Sequence, residues 1–277
     1  MSRDFYVKYS GTWKEIKTPY IKQAGVWKTP TGVFIKTSGQ WKQVWPSVFN
    51  FNYVISANTY NFNLNSAAIA AGWDGILQLS ATVTVNSGII VGSTNTTLNA
   101  FTIAALPSGS TVSLTNNGYI VGAGGAGGAG GIPGGGSGNV GGNALKISYA
   151  TTIYNYGTIA GGGGGGNGGS CGSDALGNNG GLGGGGGGGG AGYIVGAGGG
   201  GGSGGTGGNP GTLLKGGQGG TGGGGYYSNE TWAQGQDGAP GGDLGMPSSS
   251  SIAAGSYIVG NSYATWSISG TRLGNFS

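Results

Sequence analysis

At 277 residues the chain is long enough for a substantial core, but 73 glycines, 6% charged residues and no histidine leave little for general acid–base catalysis, so an enzyme is the class least favoured. The single cysteine, Cys171, allows no intramolecular disulfide or thiolate metal cluster, so we expect no metal and no cofactor. The sequence contains neither an apolar run of membrane-spanning length nor a signal peptide, so we expect no membrane insertion. The net charge of +4 is uneven, because eight of the eleven bases but two of the seven acids lie in residues 1–45.

Residues 1–45 contain three copies of one unit, which begin at Tyr6, Tyr20 and Phe34 and repeat with a step of 14 residues. Such constant spacing is typical of an internal repeat. In each copy an aromatic and a β-branched residue lead into a glycine turn, which a Trp-Lys pair follows, and this order predicts a short β-hairpin. Because a lone hairpin is marginal in water, we expect the hairpins to share one core built from their tryptophans, Trp13, Trp27 and Trp41.

Three equivalent units in one chain can meet a partner with three-fold symmetry, each unit touching one subunit. We therefore interpret residues 1–45 as an attachment module for a trimeric protein. The residues expected to dock are the Trp-Lys pairs of the three copies: Trp13, Lys14, Trp27, Lys28, Trp41 and Lys42. Interleaved tryptophan and lysine also suit nucleic-acid binding, but lysines at fixed repeat positions are explained more simply as solvent-facing residues that protect strand edges, so no nucleic-acid partner is expected.

Residues 46–117 alternate apolar and polar side chains, with Asn, Ser and Gly between the runs. This period of two is the mark of β-strands, and it predicts a compact β domain. A second repeat, Asn-x-Gly followed by a short apolar run, starts at Asn86, Asn116 and Asn155. Each copy predicts a turn and a short strand.

Related runs occur at residues 190–196 and 257–260, and several copies lead directly into glycine triplets. We expect their strands to stack as a base for the glycine-rich part of the chain. Residues 252–277 are expected to return to that base as the C-terminal strands.

Residues 118–251 are the glycine-rich part, and 60 of the 73 glycines lie between 118 and 245. Other residues recur there at every third position, as in the series Ala123, Ala126 and Ala129. Three residues per turn is the period of a polyproline-II-type helix, which makes no hydrogen bonds of its own. Its backbone groups must therefore bond neighbouring helices, which glycine allows to approach closely.

The predicted fold class is mostly β with a bundle or sandwich of packed polyglycine-II helices. The order is three N-terminal β-hairpin repeats (1–45), a small β domain (46–117), polyglycine helices with connecting loops (118–251) and C-terminal strands (252–277).

Five breaks in the triplet period predict reversals at the ends of the bundle: residues 132–133, 171–179, 209–215, 226–232 and 246–251. Irregular loops on a rigid scaffold are a common form of binding surface. The candidate binding residues are larger side chains in these loops: Leu176, Asn209, Leu213, Leu214, Tyr226, Tyr227, Asn229 and Trp232. The alternative is that the aromatic residues staple their loop onto the bundle and that the leucines plug its end.

The Asn-x-Gly-x-Ile-x-Gly-Gly-Gly pattern, the re-entry strand that ends at Ile147 and the closing run from Val259 to Gly274 resemble glycine-rich tail-fibre and adhesin proteins of tailed bacteriophages. The similarity covers roughly residues 76–277. The glycine array is also similar to the adhesins that cap the long tail fibres of T-even-type phages. The resemblance implies that polyglycine helices form a sandwich and that the breaks in the period are loops that contact a host receptor. The three Trp-Lys repeats depart from that adhesin pattern.

These observations predict a virion protein at the tip of a tail fibre. It would dock to a trimeric tail-fibre or tail-tip protein through residues 1–45 and contact a bacterial surface protein or glycan through its loops. A purely structural tail or collar component without receptor contact is a second class. Ice binding is a third, but it needs a flat and regular face, whereas the non-glycine positions here are mixed.

Overall fold

The computed structural model describes residues 5–16, 19–28, 30, 32–37, 39–45, 48–131, 134–172, 183–223, 226–227, 230–231 and 234–277. Strands dominate the regular structure within these ranges, which confirms the prediction of a mostly β chain. Most of the strands belong to stacked parallel sheets, an arrangement that the sequence did not predict.

The N-terminal part consists of hairpins that do not pack into a common sheet. Their strands are β1 (Phe5–Tyr9), β2 (Thr12–Ile16), β3 (Ile21–Gln23), β4 (Val26–Lys28), β5 (Val33–Thr37) and β6 (Gln40–Trp45). Strand β1 pairs with β2, β3 with β4 and β5 with β6, each time antiparallel. The described residues therefore give three separate two-stranded sheets. Ser10 and Gly11 have φ values of 49° and 81°, as a two-residue hairpin turn of type I′ requires.

Trp13 and Trp27 are not buried in the tryptophan core that the sequence predicted. Trp13 and Trp27 expose 65% and 66% of their surface. A two-stranded sheet has no second layer of its own, and the described residues form three separate two-stranded sheets, so these two side chains remain in water. Trp41 lies in β6, and the description of that residue is limited to its backbone.

The rest of the regular structure is a series of coils, each with three strands. The first two coils comprise β7 (Val48–Ile55), β8 (Thr59–Tyr60), β9 (Phe62–Asn63), β10 (Gln78–Val85), β11 (Ile90–Gly92) and β12 (Phe101–Ile103). The third coil comprises β13 (Thr111–Asn116), β14 (Tyr119–Val121) and β15 (Leu145–Ile147). The fourth comprises β16 (Thr151–Asn155), β17 (Thr158–Ala160) and β20 (Ser256–Val259). Between β17 and β20 lies a separate short hairpin of β18 (Tyr226–Tyr227) and β19 (Glu230–Thr231). The fifth comprises β21 (Ala264–Ile268), β22 (Thr271–Leu273) and β23 (Asn275–Phe276), preceded by a 3₁₀ helix at Asn261–Tyr263.

Corresponding strands of successive coils pair in parallel and form three five-stranded sheets among the described residues. The first sheet contains β7, β10, β13, β16 and β21, the second β8, β11, β14, β17 and β22, and the third β9, β12, β15, β20 and β23. Alternate side chains point inward, so the strands show the period of two that the sequence predicted, as in the buried residues Leu79, Val83 and Leu114. They pack into one continuous apolar core along the stack.

Three insertions interrupt the coils. The helix α1 (Leu64–Ala70) follows β9, and the side-chain oxygen of Asn63 caps it by accepting a hydrogen bond from the N–H of Ser66. The glycine-rich stretches 122–144 and 161–255 follow β14 and β17, where the chain passes from the second sheet to the third. The boundaries predicted at residues 117 and 251 therefore separate strands that pair with one another.

Candidate functional site

The described residues of the glycine-rich insertions form a laterally bonded array, called here the glycine bundle (the described parts of 122–142 and 161–255). Segments that follow one another along the chain run alternately away from the coils and back towards them, and a segment has both parallel and antiparallel neighbours. The N–H groups of Gly125 and Gly128 donate to the carbonyl oxygens of Gly163 and Gly166, each at 2.8–2.9 Å. Such bonds recur every three residues along the segments, which is the spacing that the sequence period predicted.

The central segment of the bundle (residues 183–192) has neighbours on all sides. Its N–H groups donate to three segments at 2.8–2.9 Å, through the pairs Gly185–Gln236, Gly186–Thr206 and Gly187–Gly128. Its carbonyl groups accept from three other segments, through the pairs Gly188–Gly166, Gly187–Gly199 and Gly186–Gly220. Each turn therefore bonds six described neighbours, and the segment contains the uninterrupted glycine run 183–190.

Close packing explains why this run carries no side chains. A Cβ at Gly186 would collide with the carbonyl oxygen of Gly199, and one at Gly163 with that of Gly242. At Gly200, on the exposed side of an outer segment, a Cβ would meet no atom within 4 Å. Glycine is therefore required at positions where neighbouring segments pack closely, and a side chain can be accommodated on the exposed side of an outer segment.

One end of the bundle, the coil end, is packed against the second sheet. Val121 and Ala160, from β14 and β17, form a buried cluster with Ala191 and Leu244 of the bundle. Leu213 packs against this cluster from the turn at residues 212–215. Several segments reverse here, so the coil end is attached to the sheet at more than one place.

Two tyrosines reinforce this junction. The ring of Tyr193 stacks on that of Tyr60 in β8, with centroids 5.2 Å apart. A side-chain hydrogen bond between them raises the pKa of Tyr60 above its usual range. Residues 190–196 were predicted to be a turn and a strand, but they form a turn without a strand, because Tyr193 leaves the triplet period to pack on the second sheet.

The opposite end of the bundle, the far end, lies away from the coils. Segments reverse there around residues 203–205 and at the hairpin β18–β19. Because Gly202 accepts a hydrogen bond from Gly205 at 2.9 Å, the first of these reversals is tight. The described residues of the far end hydrogen-bond to other segments of the bundle, as in the pair Gly183–Ser203, so the bundle supports them.

The predicted binding residues fall in different places. Leu213 and Leu214 lie at the coil end, whereas Tyr226 and Tyr227 form β18 at the far end, so the structure separates residues that the sequence grouped in one set of loops. Leu213 and Leu214 lie at the coil end because residues 212–215 form the turn between a segment that runs towards the coils and one that runs away from them. Asn209 is exposed along the side of the bundle. The remaining three, Leu176, Asn229 and Trp232, lie outside the described residues.

The hairpins contain the second candidate surface. Their register pairs lysine with tryptophan across the two strands each time: Lys8 with Trp13, Lys22 with Trp27 and Lys36 with Trp41. Cross-strand partners share a face of the sheet. The Nζ atoms of Lys8 and Lys22 lie 5.9 and 5.7 Å from the ring centres of Trp13 and Trp27. Tyr20 and Trp27 also line a shallow apolar depression.

Two of the lysines predicted to dock, Lys14 and Lys28, lie on the opposite faces. They follow Trp13 and Trp27 directly in the chain, and successive residues of a strand point to opposite sides. Lys14 is exposed with its Nζ 5.3 Å from the ring centre of Tyr9, and Lys28 donates a hydrogen bond to Gln23 at 3.3 Å. The sequence analysis did not single out Lys8, Lys22 and Lys36, which the register places opposite the tryptophans.

Two classes of site are not represented in the described part of the chain. It contains no group of three or more His, Cys, Asp or Glu residues arranged to hold a metal ion. It also contains no helix with the length and apolar character needed to cross a bilayer.

The stacked coils make this a parallel β-helix protein with a hydrogen-bonded glycine bundle inserted at one corner. Residues 50–277 match the family model of the phage tail fibre adhesin Gp38, and the chain belongs to this family. The family implies a non-enzymatic role and places the protein on the tail fibre of the virion.

One solved structure supports the fold. The crystal structure of the gp37-gp38 adhesin tip complex of the long tail fiber of bacteriophage S16 contains a chain with 24% identity. The match covers 82% of each chain with a TM-score of 0.52. Comparison with curated proteins gave no match.

Proposed function

We propose that this adhesin binds a bacterial surface receptor through the far end of its glycine bundle and docks to a trimeric fibre protein through its three hairpins. The observation that carries the proposal is the packing of the coil end of the bundle on the second sheet, while the described residues of the far end bond to other segments of the bundle. The coil end is packed against the second sheet through Leu244 and Tyr193, while the far end is held away from the coils. A rigid scaffold that presents free loops is suited to recognition.

The bundle is interpreted as a set of polyglycine-II helices. This interpretation is supported by lateral bonds that recur every three residues and by the six neighbours of the central segment. Helices of this type satisfy their backbone groups through neighbours. Rigidity of the array limits the conformational entropy lost when the far end binds a receptor.

The receptor is proposed to be an outer-surface protein or glycan. The bundle and the strands after it carry few charges, and the described Lys215 is already paired with Asp243 at 2.7 Å. Capture by long-range electrostatic attraction is therefore disfavoured. Hydrogen bonds and aromatic contacts fit such a surface better.

The docking role of residues 1–45 rests on the geometry of the hairpins, because the family match begins at residue 50. Trp13 and Trp27 are exposed on sheets that lack a second layer. Two-stranded hairpins gain stability when another surface covers them. Three such hairpins in one chain match the three subunits of a trimeric partner.

Competition for the host cell tests the receptor role. Purified protein is expected to block adsorption of its phage, and a Tyr226→Ser/Tyr227→Ser variant is expected to lose this effect with an unchanged melting temperature. Leu214→Ser, which changes an exposed residue at the coil end, serves as the control and should block normally. If the wild-type protein fails to block adsorption, a purely structural role in the fibre is the better account.

A separate test addresses docking. A chain without residues 1–45 should no longer assemble onto the fibre, as judged by co-purification. Full assembly of that shortened chain would contradict the docking role and leave the receptor role unaffected.

A further inference from the structure

We infer that the fibre surface that receives the hairpins is acidic and supplies a carboxylate to the Lys-Trp face of each hairpin. This inference rests on the proposed docking function and names the chemistry of the partner. The register places Lys8, Lys22 and Lys36 directly opposite Trp13, Trp27 and Trp41. A partner that covers one of these tryptophans must therefore also approach its lysine.

The first step concerns the distance between the two side chains. The Nζ atoms of Lys8 and Lys22 lie within 6 Å of the Trp13 and Trp27 ring centres, at 5.9 and 5.7 Å. At this distance a cation is attracted by the ring face. The ammonium group is thus held beside the apolar surface that docking would bury.

The second step concerns water. Covering a tryptophan removes water from its surroundings, and an ammonium group that loses water without gaining an anionic partner is costly. Among the described residues, no carboxylate lies within ion-pair distance of Lys8 or Lys22.

The third step concerns charge. Residues 1–45 hold eight basic and two acidic residues, a net charge of +6, although the whole chain carries +4. Charge of one sign concentrated in the attachment module favours a partner of the opposite sign and accelerates encounter. Because the Lys-Trp pair recurs in all three hairpins, the matching surface would carry one carboxylate on each of three subunits.

The proposal is tested with the full-length chain and the phage's own trimeric fibre protein, produced without the adhesin. Lys8→Gln/Lys22→Gln/Lys36→Gln removes the three lysines that face tryptophan. The matched control, Lys14→Gln/Lys28→Gln/Lys42→Gln, removes the same charge from the opposite faces of the same hairpins. We expect the first variant to bind at least about 100-fold more weakly than wild type and the control to change by less than about fivefold.

Salt gives a second readout. The affinity of the wild-type chain should fall as NaCl rises from about 50 to 500 mM, and that of the first variant should fall much less, because exposed charges are screened. Equal losses in the two triple variants would show a general charge effect and overturn the specific pairing. Unchanged affinity in the first variant would overturn the proposal outright.

A third variant separates this proposal from the docking function. Trp13→Ser/Trp27→Ser/Trp41→Ser should abolish fibre binding if the hairpins dock at all. Loss of binding in this variant together with full binding of Lys8→Gln/Lys22→Gln/Lys36→Gln would keep the docking function and reject the acidic partner. Association of the free chain with itself or with DNA through the same face, seen by native mass spectrometry, would also overturn the assignment.

Discussion

The side-chain amide of Asn116 donates a hydrogen bond of 2.8 Å to the side-chain oxygen of Asn155, its register partner in the next coil. Both side chains are fully buried at the turn between the first and second sheets. Asn155 in turn donates to the carbonyl oxygens of Ser269 and Thr271 at 2.8 and 3.1 Å in the coil after that. The two asparagines therefore connect three successive coils.

This ladder predicts that Asn116→Asp destabilises the β-helix. The amide nitrogen of Asn116 donates both to Asn155 and to the carbonyl oxygen of Thr158, and a carboxylate would lose both bonds and place a charge among acceptors. We expect a loss of about 1–3 kcal/mol or more in the free energy of unfolding, measured by denaturant titration.

Asn95→Asp is the matched control. Asn95 is exposed, and its side-chain oxygen accepts hydrogen bonds from the N–H groups of Thr97 and Leu98. Aspartate retains that acceptor, so stability should change by less than about 0.5 kcal/mol. Similar losses in the two variants would contradict a special role for the buried ladder.

A methyl group in the central segment should destabilise the bundle. Gly186→Ala places a Cβ against the carbonyl oxygen of Gly199, and the nearest atoms all belong to the backbone of Gly199 and Gly200. Overpacking of this kind costs about 1–3 kcal/mol and occasionally more, and Gly186→Val should cost more than Gly186→Ala. The melting temperature is the measurement.

Gly200→Ala is the control for that change. Its Cβ would meet no atom within 4 Å, and alanine restricts the unfolded chain more than glycine does. The melting temperature should stay constant or rise slightly. A loss as large as that of Gly186→Ala would argue against a lattice with inner and outer segments.

The junction between bundle and sheet depends on Leu244. It is 4% exposed in a small cluster with Val121, Ala160 and Ala191. Leu244→Ala should cost about 2–5 kcal/mol and increase proteolytic cleavage of the bundle. Met246→Ala changes a neighbouring side chain that is 56% exposed and should have little effect on either measurement. Equal protease resistance in all three proteins would show that the junction is held by other contacts.

The ion pair between Lys215 and Asp243 should give a small stabilisation that depends on pH. The Lys215 ammonium donates to the carboxylate and lowers the pKa of Asp243 below its usual range. Stability from a lowered carboxyl pKa is fully present above the unfolded value of about 3.9 and is lost as the pH falls through the folded value. The side chains are 74% and 45% exposed, so we expect less than about 1 kcal/mol.

Thermal unfolding of wild type and Asp243→Asn from neutral to acid pH measures this contribution. The two curves should converge below the folded pKa. Lys215→Met should lose a similar amount at neutral pH, and the double variant should lose no more than either single variant. Additive losses would mean that the two residues act separately.

The sequence was informative where the physical rule is local. The triplet period predicted the spacing of lateral bonds, and the Asn-x-Gly repeat marked turns that the structure places at one corner of the β-helix through Asn86, Asn116 and Asn155. These features depend on neighbouring residues and on backbone geometry, which a sequence displays directly.

Features that depend on distant pairings were missed. The strands β15 and β20 pair although 108 residues separate Ile147 from Ser256, because β16, β17 and the second stretch of the glycine bundle lie between them in the chain. Leu213 and Leu214 lie at the coil end because successive segments alternate in direction, so the end at which a turn lies depends on how many segments precede it. Neither the fold of the coils nor the end of the bundle that a loop occupies is contained in local composition.

The three-residue recurrence of the lateral bonds also constrains how the gene can change. Loss or gain of one residue within the central segment would shift every later N–H group to a different neighbour, whereas a change of three residues restores the pattern one turn further on. Among related adhesins, the length of inner segments should therefore vary in multiples of three residues. The loops at the far end can vary by single residues. Loop sequences could in this way change without disturbing the lattice that carries them.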